Sequence, residues 1–374
     1  MKKKIGIFTT TRGDMAILTP LIKKLKLEKA LKPYFFVGGT HNNKDYGDTI
    51  NEIKELKIHV DDFFNSKSIH KQDNAFSLST LLSKDQMRLA NIFKKHNFDY
   101  VCLIGDRYEK MAVVMNAILF KKKIVHIHGG EITLGSFDNQ IRNMFSQVSN
   151  LHFVICEKYK KNLIRMGVDK KNIFNIGSLA VENLTGIKKS SKSYVFKKFG
   201  LNSEKKFCIL NYHPPSLDTK IKFQDQIKNI FEALKVFDIQ ILITSPGLDS
   251  GRNNVIKVID RLKKKNIRII YKKSLGFNNY FKLIPFSEFV IGNSSSGIIE
   301  VPCFKKPTID IGLRQYGRFK HLSVISCDYK IASIKAAIKK ASSQKFRNKI
   351  KKMKFLFKNG IASEQFIRIL KKYN

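Results

Sequence analysis

Acidic side chains next to turns of small residues are the strongest chemical signal in the first half of this sequence. Asp106 follows an apolar run in IGDRYEK, and Glu131 follows a glycine pair in HIHGGE. Asp138 precedes Arg142 by four residues, so the two lie on one face of a helix if a helix begins there. Carboxylates grouped in this way can carry out general acid–base chemistry. We expect these residues to face a ligand rather than to serve the fold alone.

The two histidines of HIHGGE, His126 and His128, allow two interpretations. On an extended strand they project to the same side, and a histidine pair beside acids is found in zinc hydrolases. The other interpretation is acid–base chemistry on a sugar. No third histidine-rich loop is obvious downstream, so we expect no metal ligands here.

Two further loops could contact phosphate. In TTTRGD, Arg12 and small hydroxyl residues precede a predicted helix, although capping of that helix by Thr11 or Asp14 would explain the same pattern. In NYHPPS, His213 lies at a predicted strand end, where phosphate contact and packing are equally open.

The segment GNSSSGIIE is the most specific of these motifs. Three serines lead to a glycine that opens a predicted helix, and an acidic residue lies one turn further on: Ser294, Ser295, Ser296, Gly297 and Glu300. Backbone N–H groups and hydroxyls at such a helix start would form a diphosphate site. We expect Gly297 to allow close approach and Glu300 to accept hydrogen bonds from ribose hydroxyls. A serine-rich cap explains one hydroxyl but not three.

The elements that must position these residues follow from the hydrophobic pattern. Short runs rich in Ile, Val, Phe and Leu, such as IGIFTTT and DYVCLIG, alternate with longer amphipathic segments, such as MAILTPLIKKLK. This alternation predicts βαβ units in parallel sheets that helices cover on both faces. Ligands of such sheets bind beyond the carboxyl ends of the strands, where the polar loops described above lie.

The length of 374 residues favours two domains. Residues 188–206 are polar, basic and poor in strand signals, so they are the best candidate for a linker, and a second alternation follows them. We therefore predict an α/β protein with two doubly wound, Rossmann-like domains that face each other across a cleft. Residues 1–187 would form the sugar and acid–base side, and residues 188–354 the nucleotide-binding side.

Composition limits the remaining possibilities. With 70 Lys and Arg against 30 Asp and Glu, the net charge of +40 fits either nucleic-acid or membrane binding, or a lysine-rich proteome. The lysines form short clusters along the whole chain, which favours the second explanation. Five scattered cysteines without a CxxC pair indicate a reducing compartment, and no apolar stretch approaches the ~20 residues of a membrane span. We predict a cytoplasmic protein without nucleic-acid or membrane partners.

Taken in order, these motifs resemble those of the hydrolysing UDP-N-acetylglucosamine 2-epimerases of sialic-acid and legionaminic-acid biosynthesis. The resemblance spans nearly the whole chain, from TTTRGD, GDRYE and HIHGGEITLGSFDNQIR to YHP, GNSSSGIIEVP and DIGLRQYGR. It implies the glycosyltransferase-B architecture, with a C-terminal helix, here 355–374, that packs back on the first domain. It also implies elimination of the nucleoside diphosphate with loss of the C2 proton, followed by hydration of a 2-acetamidoglucal. UDP-GlcNAc and water would give ManNAc and UDP.

The resemblance assigns roles to individual residues. It implies acid–base roles for Asp106, Glu131 and Asp138, without indicating which of them takes the C2 proton. It implies substrate or nucleotide binding by eight residues: Arg12, Arg142, His213, Ser294, Ser295, Ser296, Gly297 and Glu300. No cofactor and no metal are expected, and the protein is expected to form a homodimer or homotetramer.

Three alternatives stay open at this stage. The same reaction could use UDP- or GDP-N,N'-diacetylbacillosamine in legionaminic acid synthesis. A glycosyltransferase of the same fold would transfer the sugar and would not need three carboxylates around it. A basic nucleic-acid-binding protein would account for the charge but would leave GNSSSGIIE unexplained.

Overall fold

A computed structural model describes residues 2–41, 49–64, 74–218, 220–246, 251–265, 268–357 and 360–373. The chain divides into two compact units. The first unit consists of Met1–Glu131, Asp138–Gly186 and Leu356–Asn374, and the second consists of Ile132–Phe137 and Ile187–Phe355. The short segment Ile132–Phe137, which the sequence prediction places in the first domain, therefore belongs to the second unit.

The first unit contains a parallel sheet with strand order β3-β2-β1-β4-β5-β6-β7. Its strands are β1 (Lys3–Thr9), β2 (Leu31–Val37), β3 (Asp62–Phe63), β4 (Tyr100–Ile104), β5 (Lys123–Ile127), β6 (Leu151–Val154) and β7 (Ile173–Asn175). Its helices are α1 (Arg12–Leu25), α2 (Ile50–Glu55), α3 (Ala75–Lys95), α4 (Met111–Leu119), α5 (Asp138–Val148), α6 (Glu157–Arg165), α7 (Leu179–Thr185) and, near the end of the chain, α15 (Ala362–Lys372).

The second unit repeats this arrangement with strand order β10-β9-β8-β11-β12-β13. Its strands are β8 (Phe207–Asn211), β9 (Gln240–Thr244), β10 (Ile269–Lys272), β11 (Val290–Gly292), β12 (Thr308–Ile311) and β13 (Val324–Cys327). Its helices are α8 (Lys192–Phe199), α9 (Phe223–Leu234), α10 (Arg252–Lys265), α11 (Phe277–Leu283), α12 (Ser296–Ile299), α13 (Ile331–Ser342) and α14 (Gln344–Lys351).

Both sheets are doubly wound, as predicted, because the strand order reverses inside each sheet. The reversal lies between β1 and β4 in the first unit and between β8 and β11 in the second. The central strands β4 and β8 are buried along their whole length, which explains why their sequences are continuous runs of apolar residues. None of the described helices has the length and apolar character that a membrane span requires.

The proposed linker at 188–206 is wrong in one respect, because it contains helix α8. Ser191 caps this helix through its side chain, and Gly200 ends it in the left-handed conformation. Val195, Phe196 and Phe199 are buried. The basic residues of the segment conceal an apolar helical face that packs into the second unit.

Candidate active site

The reversal of strand order in the first unit brings two predicted loops to one edge of the sheet. Strands β1 and β4 are parallel neighbours, so the residues after Thr9 and after Ile104 leave the sheet side by side. Doubly wound sheets bind ligands at such a position. TTTRGD and GDRYE, which are far apart in sequence, thus belong to one candidate site.

The loop after β1 is held by a capping box at the start of α1. Thr11 is the N-cap residue, and its hydroxyl accepts a hydrogen bond from the Asp14 backbone N–H. The Asp14 carboxylate accepts hydrogen bonds from the backbone N–H groups of Thr10, at 2.8 Å, and Thr11, at 3.2 Å. The capping interpretation of Thr11 and Asp14 therefore holds, and the half-buried Arg12 is the first residue of the helix.

Asp14 has a second partner that the sequence did not reveal. The Lys110 ammonium is fully buried and lies 2.8 Å from Asp14 Oδ1 and 2.5 Å from the carbonyl oxygen of Ile104. Burial alone would raise the pKa of Asp14, but the charge and hydrogen bond of Lys110 and the Thr10 N–H hold that pKa below its ordinary value. Lys110 therefore ties the loop after β1 to the end of β4, directly before Gly105 and Asp106.

Asp106 and Glu131 are joined through Arg142. The Arg142 guanidinium is buried and forms an ion pair with the Asp106 carboxylate. Its other terminal nitrogen, Nη1, donates a hydrogen bond of 2.9 Å to the backbone carbonyl oxygen of Glu131. Asp138, the first residue of α5, lies one turn before Arg142 and is also buried. Four of the five residues that the sequence assigned to acid–base chemistry and substrate binding in this unit thus occur together, and the fifth, Arg12, lies at the start of α1.

The turn that carries Glu131 has an unusual backbone. Strand β5 ends at Ile127, and His128 adopts a left-handed conformation with φ of +69°. Gly130 has φ of +76°, and a Cβ atom there would lie 2.3 Å from the carbonyl oxygen of Tyr159, so only glycine fits. His128 Nδ1 lies 2.8 Å from Oε1 of the buried Glu131.

The two histidines of HIHGGE have different environments, contrary to the expectation that they share one side of an extended strand. His126 remains in β5, where its Nε2 donates to the Gly105 carbonyl oxygen at 2.8 Å and its Nδ1 lies 3.2 Å from the Ser146 hydroxyl. Burial lowers the pKa of His126 to about 3. It is a neutral residue that supports the turn before Asp106. Among the described residues, no group of three or more His, Cys, Asp and Glu side chains could hold a metal ion.

The reversal of strand order in the second unit brings His213 beside the serine loop. Asn293, directly after β11, accepts a hydrogen bond from the His213 backbone N–H and donates one to the His213 carbonyl oxygen, both of 2.8 Å. The Asn293 carbonyl oxygen in turn accepts from Arg314, at 3.1 Å, and Gln315, at 2.9 Å. Asn293, which sequence reasoning missed, therefore joins NYHPPS, GNSSSGIIE and DIGLRQYGR.

The helix after the three serines is a single turn. It runs from Ser296 to Ile299, and Glu300 lies at its C-cap. Pro302 limits its length, because proline has no backbone N–H to continue the α-helical hydrogen bonds, and the chain goes on as the 3₁₀ helix Val301–Phe304. A helix of one turn adds little dipole, so the main polar groups here are the hydroxyls and backbone N–H groups of the loop.

The three serines differ in their contacts. The Ser296 hydroxyl donates to the Tyr280 hydroxyl at 3.1 Å, and the Ser294 hydroxyl accepts from the Ser296 backbone N–H at 3.4 Å. Ser295 occupies the N-cap position, but its side chain makes no capping hydrogen bond. Capping therefore does not account for Ser295.

The structure shows a packing reason for a glycine at position 297, which the sequence did not suggest. A Cβ atom there would lie 2.7 Å from Cγ2 of Thr308, whose hydroxyl donates to the Gly297 carbonyl oxygen at 2.7 Å. Close packing on β12 is enough to require a glycine, with or without a ligand. Glu300, three residues further along the chain, is also buried and directly precedes the 3₁₀ helix Val301–Phe304.

Comparisons with known proteins show which family this chain resembles. A family model described as UDP-N-acetylglucosamine 2-epimerase matches residues 23–371. The GDP/UDP-N,N'-diacetylbacillosamine 2-epimerase (hydrolyzing) of Campylobacter jejuni is 32% identical over 352 residues, which are 92% of this chain and 89% of that protein. The UDP-N,N'-diacetylbacillosamine 2-epimerase (hydrolyzing) of Legionella pneumophila is 30% identical over 375 residues, 99% of this chain and 96% of that protein.

The fold of this chain is also similar to that of solved structures. The crystal structure of UDP-GlcNAc 2-epimerase from Neisseria meningitidis bound to UDP-GlcNAc matches with a TM-score of 0.85 at 17% identity, and covers 99% of this chain and 100% of that chain. The predicted two-domain α/β fold of the glycosyltransferase-B type is thereby confirmed.

Proposed function

The chain belongs to the UDP-N-acetylglucosamine 2-epimerase family and is a hydrolysing enzyme that acts on nucleotide sugars; from this premise we propose its substrate, its reaction and the residues responsible. The substrate is a nucleotide-activated N-acetylhexosamine, in the first place UDP-GlcNAc, which the enzyme converts with water into ManNAc and UDP. The observation that carries the proposal is the cluster of Asp106, Arg142 and Glu131 at the edge of the first sheet, in which Arg142 and Glu131 are buried.

The reaction needs a base, an acid and a stabilised leaving group. The C2–H bond breaks and its proton passes to a carboxylate, while its electron pair forms the C1–C2 double bond. The C1–O bond breaks at the same time, and its electron pair leaves with the nucleoside diphosphate. Water then adds to the double bond: its OH group bonds to C1, the proton that it releases passes to a carboxylate, and a proton is delivered to C2 on the opposite face. We assign these proton transfers to the set Asp106, Glu131 and Asp138.

We assign the nucleotide to polar groups beside the two sheet edges. In the first unit Arg12 supplies positive charge at the start of α1. In the second unit the hydroxyls of Ser294, Ser295 and Ser296 support diphosphate binding, since one of them makes no capping bond. His213 is fixed for such a contact by its two hydrogen bonds with Asn293. Glu300 is the candidate acceptor for ribose hydroxyls.

A second substrate class is favoured by the relatives with 32% and 30% identity, whose names specify N,N'-diacetylbacillosamine linked to GDP or UDP. The two sugars differ only at carbons 4 and 6, away from the reacting carbons, and the nucleotide of the second class is GDP or UDP. The experiment is to incubate the purified protein in D2O with UDP-GlcNAc and, separately, with UDP- and GDP-N,N'-diacetylbacillosamine. We expect free nucleoside diphosphate and a 2-epimeric sugar that carries deuterium at C2. Release or transfer of the sugar without deuterium would instead favour a glycosyltransferase.

We also propose that two or more copies associate through α3 and α4. Helix α4 contains no charged residue, and its exposed side chains Met111, Met115, Ile118 and Leu119 are all apolar. Met87 of the neighbouring α3 is also exposed. Two chains of charge +40 repel each other over most of their surfaces. The apolar surface of α4 carries no charge, although Lys84 and Arg88 are exposed on α3, so a second copy can approach there with the least electrostatic repulsion.

The reaction is assigned to the cytoplasm. All five cysteines are free thiols, which suits a reducing compartment.

A further inference from the structure

The motif DIGLRQYGR has no assigned role in the proposed function, and the structure shows what its central loop contacts. Strand β12 ends at Ile311, and residues 312–317 form the β12 loop. The large apolar side chains of this loop, Leu313 and Tyr316, are 44% and 56% exposed, so they contribute little apolar burial to its stability. The position of the loop therefore depends on hydrogen bonds and on close backbone packing.

The buried side chain of Asp218 holds the start of the β12 loop. Its Oδ2 atom accepts hydrogen bonds from the Leu313 backbone N–H, at 3.0 Å, and from the Tyr329 hydroxyl, at 2.8 Å. Gly312 passes directly over the same tyrosine, with φ of +78°, and a Cβ atom there would overlap the Tyr329 hydroxyl oxygen. The loop thus begins at a fixed point, although Asp218 is 95 residues away from Leu313 in sequence.

The next two residues of the β12 loop contact Asn293. The side chains of Arg314 and Gln315 both donate to the Asn293 backbone carbonyl oxygen. The Asn293 side chain holds both backbone groups of His213, and Asn293 directly precedes Ser294. The β12 loop is therefore connected through Asn293 to both loops that we assign to nucleotide binding in this unit.

These contacts form a closed ring across three strand ends. Strands β8, β11 and β12 are parallel neighbours in the second sheet. Asp218 follows β8 and binds the loop after β12, which binds Asn293 after β11, and Asn293 binds His213 after β8. In a closed ring of hydrogen bonds each loop is fixed relative to the other two. The contact of Asp218 is the member that closes this ring.

We propose that Asp218 is a positioning residue of the nucleotide site, which closes the ring and thereby keeps His213 and the serine loop in the arrangement that binds the nucleoside diphosphate. This inference rests on the proposed function. Asp218 makes no contact with the nucleotide in this role, because its carboxylate would repel the negatively charged diphosphate. It acts through Leu313 and Asn293.

Two substitutions at position 218 test this role. Asp218→Ala removes the acceptor of the Leu313 N–H and opens the ring. We expect it to raise the Kd for UDP and the KM for the nucleotide sugar about 3- to 10-fold, which is the effect of roughly one hydrogen bond. The kcat should change much less, because the carboxylates assigned to proton transfer belong to the first unit. Asp218→Asn retains an oxygen that can accept the same bonds and should restore most of the UDP affinity.

Tyr329→Phe is the matched control, because it removes the second hydrogen bond to the same Asp218 oxygen and leaves the bond to Leu313 in place. It should lower the melting temperature and leave the Kd for UDP unchanged. Calorimetry measures the Kd of every variant well below its melting temperature. If Asp218→Ala does not fold, Asp218→Glu decides instead, because its additional methylene moves the carboxylate and keeps the charge. A raised Kd then supports the proposal, and a wild-type Kd overturns it.

The outcomes distinguish this inference from the proposed function. A wild-type protein that converts none of the nucleotide sugars would contradict the proposed function itself. An active wild type together with an Asp218→Ala variant that melts earlier but binds UDP normally would overturn only the role of Asp218. So would a Tyr329→Phe variant whose Kd rises as much as that of Asp218→Ala, because the bond to Leu313 would then not be the one that matters.

Discussion

The ammonium of Lys110 lies 2.8 Å from the carboxylate of Asp14, and 96 residues of chain separate the two. Both side chains are buried, and the pair joins the start of α1 to the end of β4. These are the two strand ends between which the order of the first sheet reverses. The positions of Arg12 and Asp106 therefore depend on one buried ion pair.

Removing the positive member of this pair should destabilise the protein strongly. Lys110→Met leaves the Asp14 carboxylate buried without a counter-charge, which typically costs about 3–5 kcal/mol. We expect the double variant Asp14→Asn/Lys110→Met to recover much of this loss, because no uncompensated charge remains. Urea unfolding at pH 7 measures both. Equal stabilities of wild type and Lys110→Met would show that the pair contributes nothing.

Asp106→Asn should affect turnover far more than nucleotide affinity. The substitution removes the charge that faces Arg142 but keeps the size of the side chain. We expect kcat to fall by roughly 100-fold or more, because a group used only in the transition state is lost. UDP affinity, measured by calorimetry, should stay within a few-fold of wild type. Normal turnover would remove Asp106 from the catalytic set.

The sequence predicted the sheet edges of the candidate site well. Strands such as Tyr100–Ile104 and Phe207–Asn211 are continuous apolar runs followed by polar loops, so the carboxyl-end positions of Asp106 and His213 could be inferred. Apolar periodicity is a local property, and a single sequence displays it directly.

The contacts that hold the site could not be predicted in the same way. Lys110 precedes an apolar helix and looks like a solvated lysine, yet it is buried against Asp14. Asn293 looks like a loop residue, yet it binds both backbone groups of His213, 80 residues away in sequence. Such pairings depend on the tertiary fold, which local patterns do not specify.

Ser295→Ala should weaken nucleotide binding with little change in stability. Its side chain makes no capping bond, so its removal leaves α12 intact. Loss of one hydroxyl donor to a diphosphate should raise the Kd for UDP about 10- to 150-fold, because a hydrogen bond to a charged group contributes about 1.5–3 kcal/mol. Isothermal calorimetry measures the Kd and thermal unfolding provides the control. Unchanged affinity would exclude Ser295 from the binding residues.

Ile118→Lys tests the association surface on α3 and α4. Ile118 is 45% exposed on a helix that has no charged residue. Two copies related by a two-fold axis would bring the two new lysines to the same interface, so we expect dissociation into monomers. Light scattering after size-exclusion chromatography measures the mass. Lys122→Glu, a charge change at a partly buried lysine just beyond α4, is the control and should leave the oligomer unchanged.

The stability of the protein should fall as the pH decreases below about 6.5, because of its buried histidines. Burial lowers the pKa of His126 to about 3, and the pKa values of His41 and His152 to about 4. In the unfolded chain these side chains titrate near their ordinary value of 6.5. Between these limits the unfolded state binds more protons than the folded state. Stability is thus complete above pH 6.5 and is lost as the pH falls towards 4.

Each such histidine should contribute about 1.4 kcal/mol per pH unit to this loss. The loss can be assigned to one side chain with His152→Gln, since His152 lies in β6 and has no assigned role in the reaction. Its Nε2 donates to the Ser149 carbonyl oxygen, a bond that the glutamine amide can replace. We expect the slope of unfolding free energy against pH, measured in urea between pH 6 and 5, to decrease by the contribution of one proton. A wild-type stability that is constant over this range would mean that the buried histidines bind protons as readily in the folded state as in the unfolded state.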